Sequence, residues 1–186
     1  MVGLSGLWMP IVLSAVAVFI GSSLIHMVFK WHNGEYKAPP NQDALSDAMR
    51  PFNIPPGEYF LPFPADMKDM GSAEFKARVE KGPNVLMTVR PNVVVGLGKM
   101  LGLWFVYSLV VSLFAAYVTG RTLAPGTSYL TVFRVSGSVA FAGYALAHWQ
   151  YWVWWSKGLR STITNTIDGL IYALLTAGVF GWLWPH

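Results

Sequence analysis

The sequence predicts an all-α membrane protein, a bundle of four transmembrane helices with a small polar insert between the first and second. Three observations carry this. Of the 186 residues 54% are hydrophobic and only 12% charged, against roughly 25% charged in soluble domains. Seventeen of the twenty-two Asp, Glu, Lys and Arg residues fall between Lys30 and Lys99. The remainder of the chain resolves into long uncharged runs, and about 20 apolar residues suffice to cross a bilayer as a helix.

The first run, Met1 to Phe29, has no Asp, Glu, Lys or Arg, and predicts a span over about 7–29. It lacks the positive n-region and short apolar core of a cleaved signal, so a retained anchor is expected. Further spans are predicted over 100–120, 135–156 and about 163–184, the last with one acid, Asp168. Lipid offers the backbone no partners, so each run must be helical. Pro10 lies in the first turn of its span, where a missing N–H costs little. The resulting division is 1–29, first span; 30–98, insert; and 99–186, the other three spans.

Flanking cations set the expected orientation. Lys30, Arg90, Lys99, Lys157 and Arg160 share one side, against Arg121 and Arg134 on the other. The cation-rich side is normally cytoplasmic, which predicts periplasmic termini and a cytoplasmic insert. Small residues recur at spacings suited to helix contact in lipid: Ala17 and Gly21, Gly98 and Gly102, Gly143 and Ala147, and Ala173, Ala177 and Gly181.

Within the insert, APPNQDALSDAMRP reads as a short helix bounded by its prolines, and the later prolines of PFNIPPGEYFLPFP enforce extended backbone. Ser72 as cap and Gly82 as stop delimit a second helix. NVLMTVRPN reads as a strand, with Leu86, Met87 and Thr88 facing Tyr59, Phe60 and Leu61 in a two-stranded ribbon. The alternative is a mostly irregular loop, since so small a fold stands alone poorly.

Charge excludes one class of partner. The net charge is +4, but the insert's nine basic and eight acidic residues nearly cancel, leaving no basic patch for nucleic acid. With no cysteine, thiolate metal sites and cysteine nucleophiles are out. Nucleotide-loop, serine-elbow and HExxH zinc motifs are absent too, so no catalytic residue is assigned and a non-enzymatic role is favoured.

What remains is a set of polar residues at membrane depth. His26 lies four residues before Lys30, His148 nine before Lys157, and Asp168 early in the fourth span. All three approach the same face, from three helices. Intramembrane ionisable groups are costly and tend to face a bundle interior or a pathway. His26 and His148 are the candidate ligands for a metal or haem iron, with Asp168 as third ligand or outer partner. The same residues with Tyr172, one turn beyond Asp168, would suit a quinone or proton site. The favoured reading is ligand-free: His26 and His148 hydrogen-bond across helices, and Asp168 pairs with a histidine, Asn165 or a nearby cation. No cofactor is assigned; haem, metal and quinone stay open.

The phrases RPFNIPPGEY, MTVRPN, YLTVFR and DGLIYALLTAGVFGWLWP resemble those of a family of uncharacterised bacterial inner-membrane proteins of about this length. The resemblance implies a bacterial inner-membrane location and brings no activity. The absence of a catalytic motif and the many small-residue helix faces favour an accessory or scaffolding subunit of a larger inner-membrane complex, contacting lipid and other subunits or its own copies; the alternative is a redox, quinone or proton-handling protein built on His26, His148 and Asp168. A small oligomeric transporter is a third reading.

Overall fold

The structure, a computed structural model, describes residues 1–94 and 96–186. In chain order the elements are α1 (Leu4–Phe29), α2 (Gln42–Met49), β1 (Gly57–Leu61), α3 (Met67–Gly71), α4 (Ala73–Lys81), β2 (Val85–Val89), α5 (Leu97–Thr122), α6 (Tyr129–Trp155) and α7 (Leu159–Trp182). Helices α1, α5, α6 and α7 are each long and apolar enough to cross a membrane. Helices α5, α6 and α7 start earlier than the uncharged runs predict, and α5 also ends later, because a helix can carry Lys99, Arg121, Arg134 and Arg160 in its end turns with the long side chains snorkelling to water; α6 and α7 end one and two residues short of the expected bounds.

The chain forms two compact units, 1–36 with 95–186, and 37–94. In the first, α1 packs on α5 and α7, and α6 on α5 and α7, so the four helices close a ring. Two apolar clusters fill it. One contains Leu7, Ala115, Ala116, Val132, Phe180 and Trp184; the other Val18, Val111, Ala140, Tyr144 and Tyr172. Buried hydroxyls bond within the bundle: Ser14 Oγ donates to Ser112 Oγ at 2.9 Å, and Ser136 and Thr176 return their protons to the carbonyls one turn back. Apolar side chains such as Ile20, Leu103, Phe114 and Leu170 cover the outside, as a lipid-facing surface requires.

Three of the four small-residue sets lie at contacts. A Cβ on Gly21 would come within 2.8 Å of Leu175, on Gly143 within 3.0 Å of Val111, and on Gly181 within 2.7 Å of the Tyr129 ring. Gly98 and Gly102 have nothing within 4 Å, so that expected contact is not made within the described chain.

Both α1 and α6 carry a π-helical turn, Ile25–Phe29 and Ala142–Leu146. No proline announces either, and of the two only the second contains a glycine, Gly143. In the first, the Lys30 amide reaches back five residues to the Ile25 carbonyl at 3.0 Å, and Lys30 then adopts a left-handed φ of 52°, which is uncommon for a non-glycine residue. In the second, the Gly143 carbonyl accepts the Tyr107 hydroxyl at 2.6 Å.

The unit 37–94 holds the expected ribbon. Strands β1 and β2 are antiparallel, with Tyr59 opposite Met87 and Phe60 opposite Leu86. Ser72 accepts the Phe75 amide at 3.0 Å as N-cap of α4, and Gly82 ends that helix at φ 61°. The short helix α3, capped by Asp66 accepting the Lys68 and Asp69 amides, is an addition to the expected elements. Asp69 accepts the Ala65 amide at 2.8 Å and pairs with Arg78 at 3.2 Å. The backbone bond first, then Ser72 and Arg78, hold its carboxyl below the usual value.

Candidate functional site

The left-handed turn at Lys30 sends the chain back along α7. Residues 31–36 lie against its first turns, so that two consecutive side chains, Trp31 and His32, both reach Asp168. Trp31 Nε1 donates to Asp168 Oδ1 at 3.0 Å, and His32 Nε2 stands 2.7 Å from Asp168 Oδ2. One turn nearer the start of α7, Glu35 meets the Thr164 hydroxyl, while its Oε1 lies 2.8 Å from His32 Nδ1. His32 is therefore clamped between two carboxylates, from Glu35 on one ring nitrogen and Asp168 on the other.

His26, in the π turn of α1, approaches from the side. Its Nε2 is 3.8 Å from Asp168 Oδ2, and its ring lies 4.6 Å from that of His32, tilted by 36°. The Asp168 and Glu35 side chains are only 4% and 5% exposed, yet among the described residues no lysine or arginine pairs with either. Burial pushes the Glu35 carboxyl up, but hydrogen bonds from Thr164, Ser161 and His32 outweigh it and hold the group below its ordinary value.

Gly169 lets this arrangement form. A Cβ there would stand 2.8 Å from that of Ala145 and 3.1 Å from backbone atoms of α6, so only glycine allows α7 to approach α6 this closely beside Asp168.

Next to the cluster is a half-enclosed cavity of about 500 Å³, lined by His26, His148, Asn165, Asp168 and Tyr172 on its polar side. Trp104, Tyr144, Met27, Met100 and Leu101 supply the apolar side. Trp104 is fixed by donating Nε1–H to Ser22 Oγ at 2.8 Å and by edge contact with the Tyr172 ring at 5.6 Å. The Tyr144 and Tyr172 rings meet edge-on at 5.5 Å. Among the described residues the buried Tyr172 hydroxyl has no hydrogen-bond partner, whereas most buried hydroxyls find one.

All four residues singled out from the sequence, His26, His148, Asp168 and Tyr172, thus line one cavity. They do not all share one cluster. Among the described residues, the group able to offer three donor atoms to a single metal is His26, His32 and Asp168, each donor within 4.8 Å of the others; His148 is outside it. Asp168 does pair with histidine, as one of the expected outcomes had it, while Asn165 turns its amide to the Ser161 carbonyl at 2.6 Å instead. Trp31, His32 and Glu35 were missed because they fall in the polar segment after the first span. The available signal was Trp-His followed by Asn-Gly, a turn pair, which returns the chain toward the helix it has just left. Comparison with protein-family models, curated proteins and solved structures gives no match to this chain.

Proposed function

We propose that the protein is a proton-handling membrane protein that seats a lipophilic ligand of the quinone class in the cavity beside Asp168. The observation that supports this is the pairing of an unpartnered Tyr172 hydroxyl with an aromatic wall, Trp104 and Tyr144, in a cavity of about 500 Å³ that also exposes two histidines. That volume is in the range of small-molecule sites, which combine apolar walls with a few placed polar groups. A ring carbonyl accepts from Tyr172, a second from an imidazole of His148 or His26, and Trp104 covers the ring face. Protons enter or leave through Asp168, His32 and Glu35, whose donor and acceptor atoms follow one another at 2.7 and 2.8 Å.

The reading sets the bundle in a bacterial inner membrane with periplasmic termini. Its support is the cation excess beside Lys30, Lys99 and Lys157. The test is equilibrium binding of a short-chain quinone to protein purified in detergent and stripped of metal with a chelator. Saturable binding that weakens about tenfold in Tyr172→Phe, the loss of roughly one hydrogen bond, supports the reading. Binding that is absent, or indifferent to both Tyr172→Phe and Trp104→Leu, removes it.

A second reading, an accessory subunit gripping other membrane proteins, draws on the bare face at Gly98 and Gly102, where a helix from another chain can approach closely. Mild-detergent purification and mass spectrometry test it. Stoichiometric companions support it, and a solitary species counts against it.

A further inference from the structure

We propose that His26, His32 and Asp168 form a binding site for a divalent transition-metal ion of the zinc class, with Glu35 and Trp31 fixing the ligands from behind. This goes beyond the quinone reading and does not depend on it.

Geometry is the first argument. His32 Nδ1 is held 2.8 Å from Glu35 Oε1, which leaves Nε2 facing Asp168 Oδ2 at 2.7 Å, with the Trp31 indole nitrogen 3.1 Å from the same Nε2. Either a shared proton or a metal ion can hold the two atoms that close.

Burial favours the metal. Among the described residues no lysine or arginine pairs with the buried Glu35 and Asp168 side chains, and a divalent ion compensates buried carboxyl groups more fully than a shared proton does.

The geometry suits the second choice. The Nε2 atoms of His26 and His32 lie 3.8 and 2.7 Å from the same carboxylate oxygen. Ligand atoms on a tetrahedral zinc ion with bonds of about 2.0–2.1 Å stand roughly 3.3 Å apart, between those two values. Half-exposed His26 is free to make most of the adjustment. The surrounding contacts match a metal site as well: a ligating histidine commonly donates its other nitrogen to a carboxylate, as His32 does to Glu35, and Trp31 donates to Asp168 Oδ1, the oxygen the histidines do not share, while its indole nitrogen also lies 3.1 Å from His32 Nε2. Two imidazoles and one carboxylate leave a coordination position open, and His26 and Asp168 both line the cavity, so that position opens toward it. A donor set of nitrogen and oxygen without thiolate is suited to zinc, iron(II) or cobalt(II) rather than to copper(I).

The test uses the full chain in detergent without a histidine tag. Protein treated with chelator, reloaded with Zn²⁺ and passed through a desalting column is expected to retain one equivalent by elemental analysis. Co²⁺ in its place is expected to give a ligand-field absorption in the visible that Zn²⁺ abolishes. Affinity should fall at least tenfold in His32→Gln, Asp168→Asn and His26→Gln, and about 10- to 100-fold in Glu35→Gln, with His186→Gln unchanged. If a buried variant does not fold, the Co²⁺ spectrum of the unaltered protein and the His26→Gln variant, at a half-exposed position, still decide. Folded protein that retains no metal, or retains it equally in His26→Gln and Asp168→Asn, overturns the proposal. Quinone binding by the metal-free protein is measured separately, so either idea can fail alone.

Discussion

His32 and Asp168, 136 positions apart in the chain, face each other across 2.7 Å. The contact joins the segment after the first span to the interior of the last, and makes Asp168 a structural residue whatever it binds. Asp168→Ala would remove the oxygen that accepts the Trp31 indole N–H and the one that faces His32, leaving the indole only His32 Nε2 at 3.1 Å. Hydrogen bonds to charged groups contribute about 1.5–3 kcal/mol, so a thermal melt in detergent is expected to show a loss of about that size, with Asp168→Asn losing less. An unchanged melting temperature in Asp168→Ala would mean that the 31–36 segment does not hold to α7.

Tyr172→Phe is expected to behave in the opposite way. Among the described residues its hydroxyl is buried and unpartnered, and such a group costs about 1–3 kcal/mol. Removing it should leave the melting temperature equal or higher while quinone affinity falls. A clear loss of stability would show that the hydroxyl has a partner in the free protein.

Adding one methyl group distinguishes two glycines. Gly169→Ala is expected to destabilise the bundle by about 1–3 kcal/mol, the usual cost of overpacking, because its Cβ would lie 2.8 Å from that of Ala145. Gly102→Ala, with nothing within 4 Å, should be neutral or slightly favourable, since alanine is the better helix former. If Gly102→Ala breaks a complex with other subunits instead, the accessory reading gains.

The cap of α4 gives a pH dependence. The Asp69 carboxyl, held low first by the Ala65 amide and then by Ser72 and Arg78, favours the folded form when ionised. That contribution is complete above the usual carboxylate range and disappears as the pH falls through the lowered value of the folded state. Hydrogen exchange of amides 73–81 in the full chain should accelerate on acidification below about 4, and Asp69→Asn should remove that step. Ser72→Ala should expose the same amides at neutral pH, at a cost of about 1 kcal/mol.

The orientation is checked with single cysteines, which the chain lacks. Ser5→Cys and Ser128→Cys are expected to react with an impermeant maleimide in intact cells, and Ser72→Cys only after lysis. Labelling at 72 but not at 5 or 128 would invert the bundle.

Hydropathy made the four spans legible because each must be apolar to live in lipid, and the charge pattern misplaced only their ends. The α4 helix was readable from Ser72 and Gly82, which act locally, and the β1–β2 pairing from the apolar runs around Tyr59 and Met87. His26, His148, Asp168 and Tyr172 stood out as polar groups at depth. His32 and Glu35 did not, because their role depends on a backbone turn at Lys30 and on contacts more than a hundred residues away, neither of which has a local composition. The open face at Gly102 was unreadable for a related reason: small-residue spacing reports that a helix can be approached, not that another segment of the same chain does so.

The π turns in α1 and α6 act as a rotational setting for the residues that follow them. Each holds one extra residue in a widened turn without completing a further revolution, so the residues that follow keep the phase of a regular helix one residue shorter. Deleting a single residue within 142–146 would let α6 close into a regular helix and leave His148 near its place relative to Tyr129 and Ser136. Deleting one within 129–141 instead would swing His148 by about 100°, the rotation of one α-helical residue. Where a length change falls along α6, rather than its size, thus decides whether the cavity keeps its histidine.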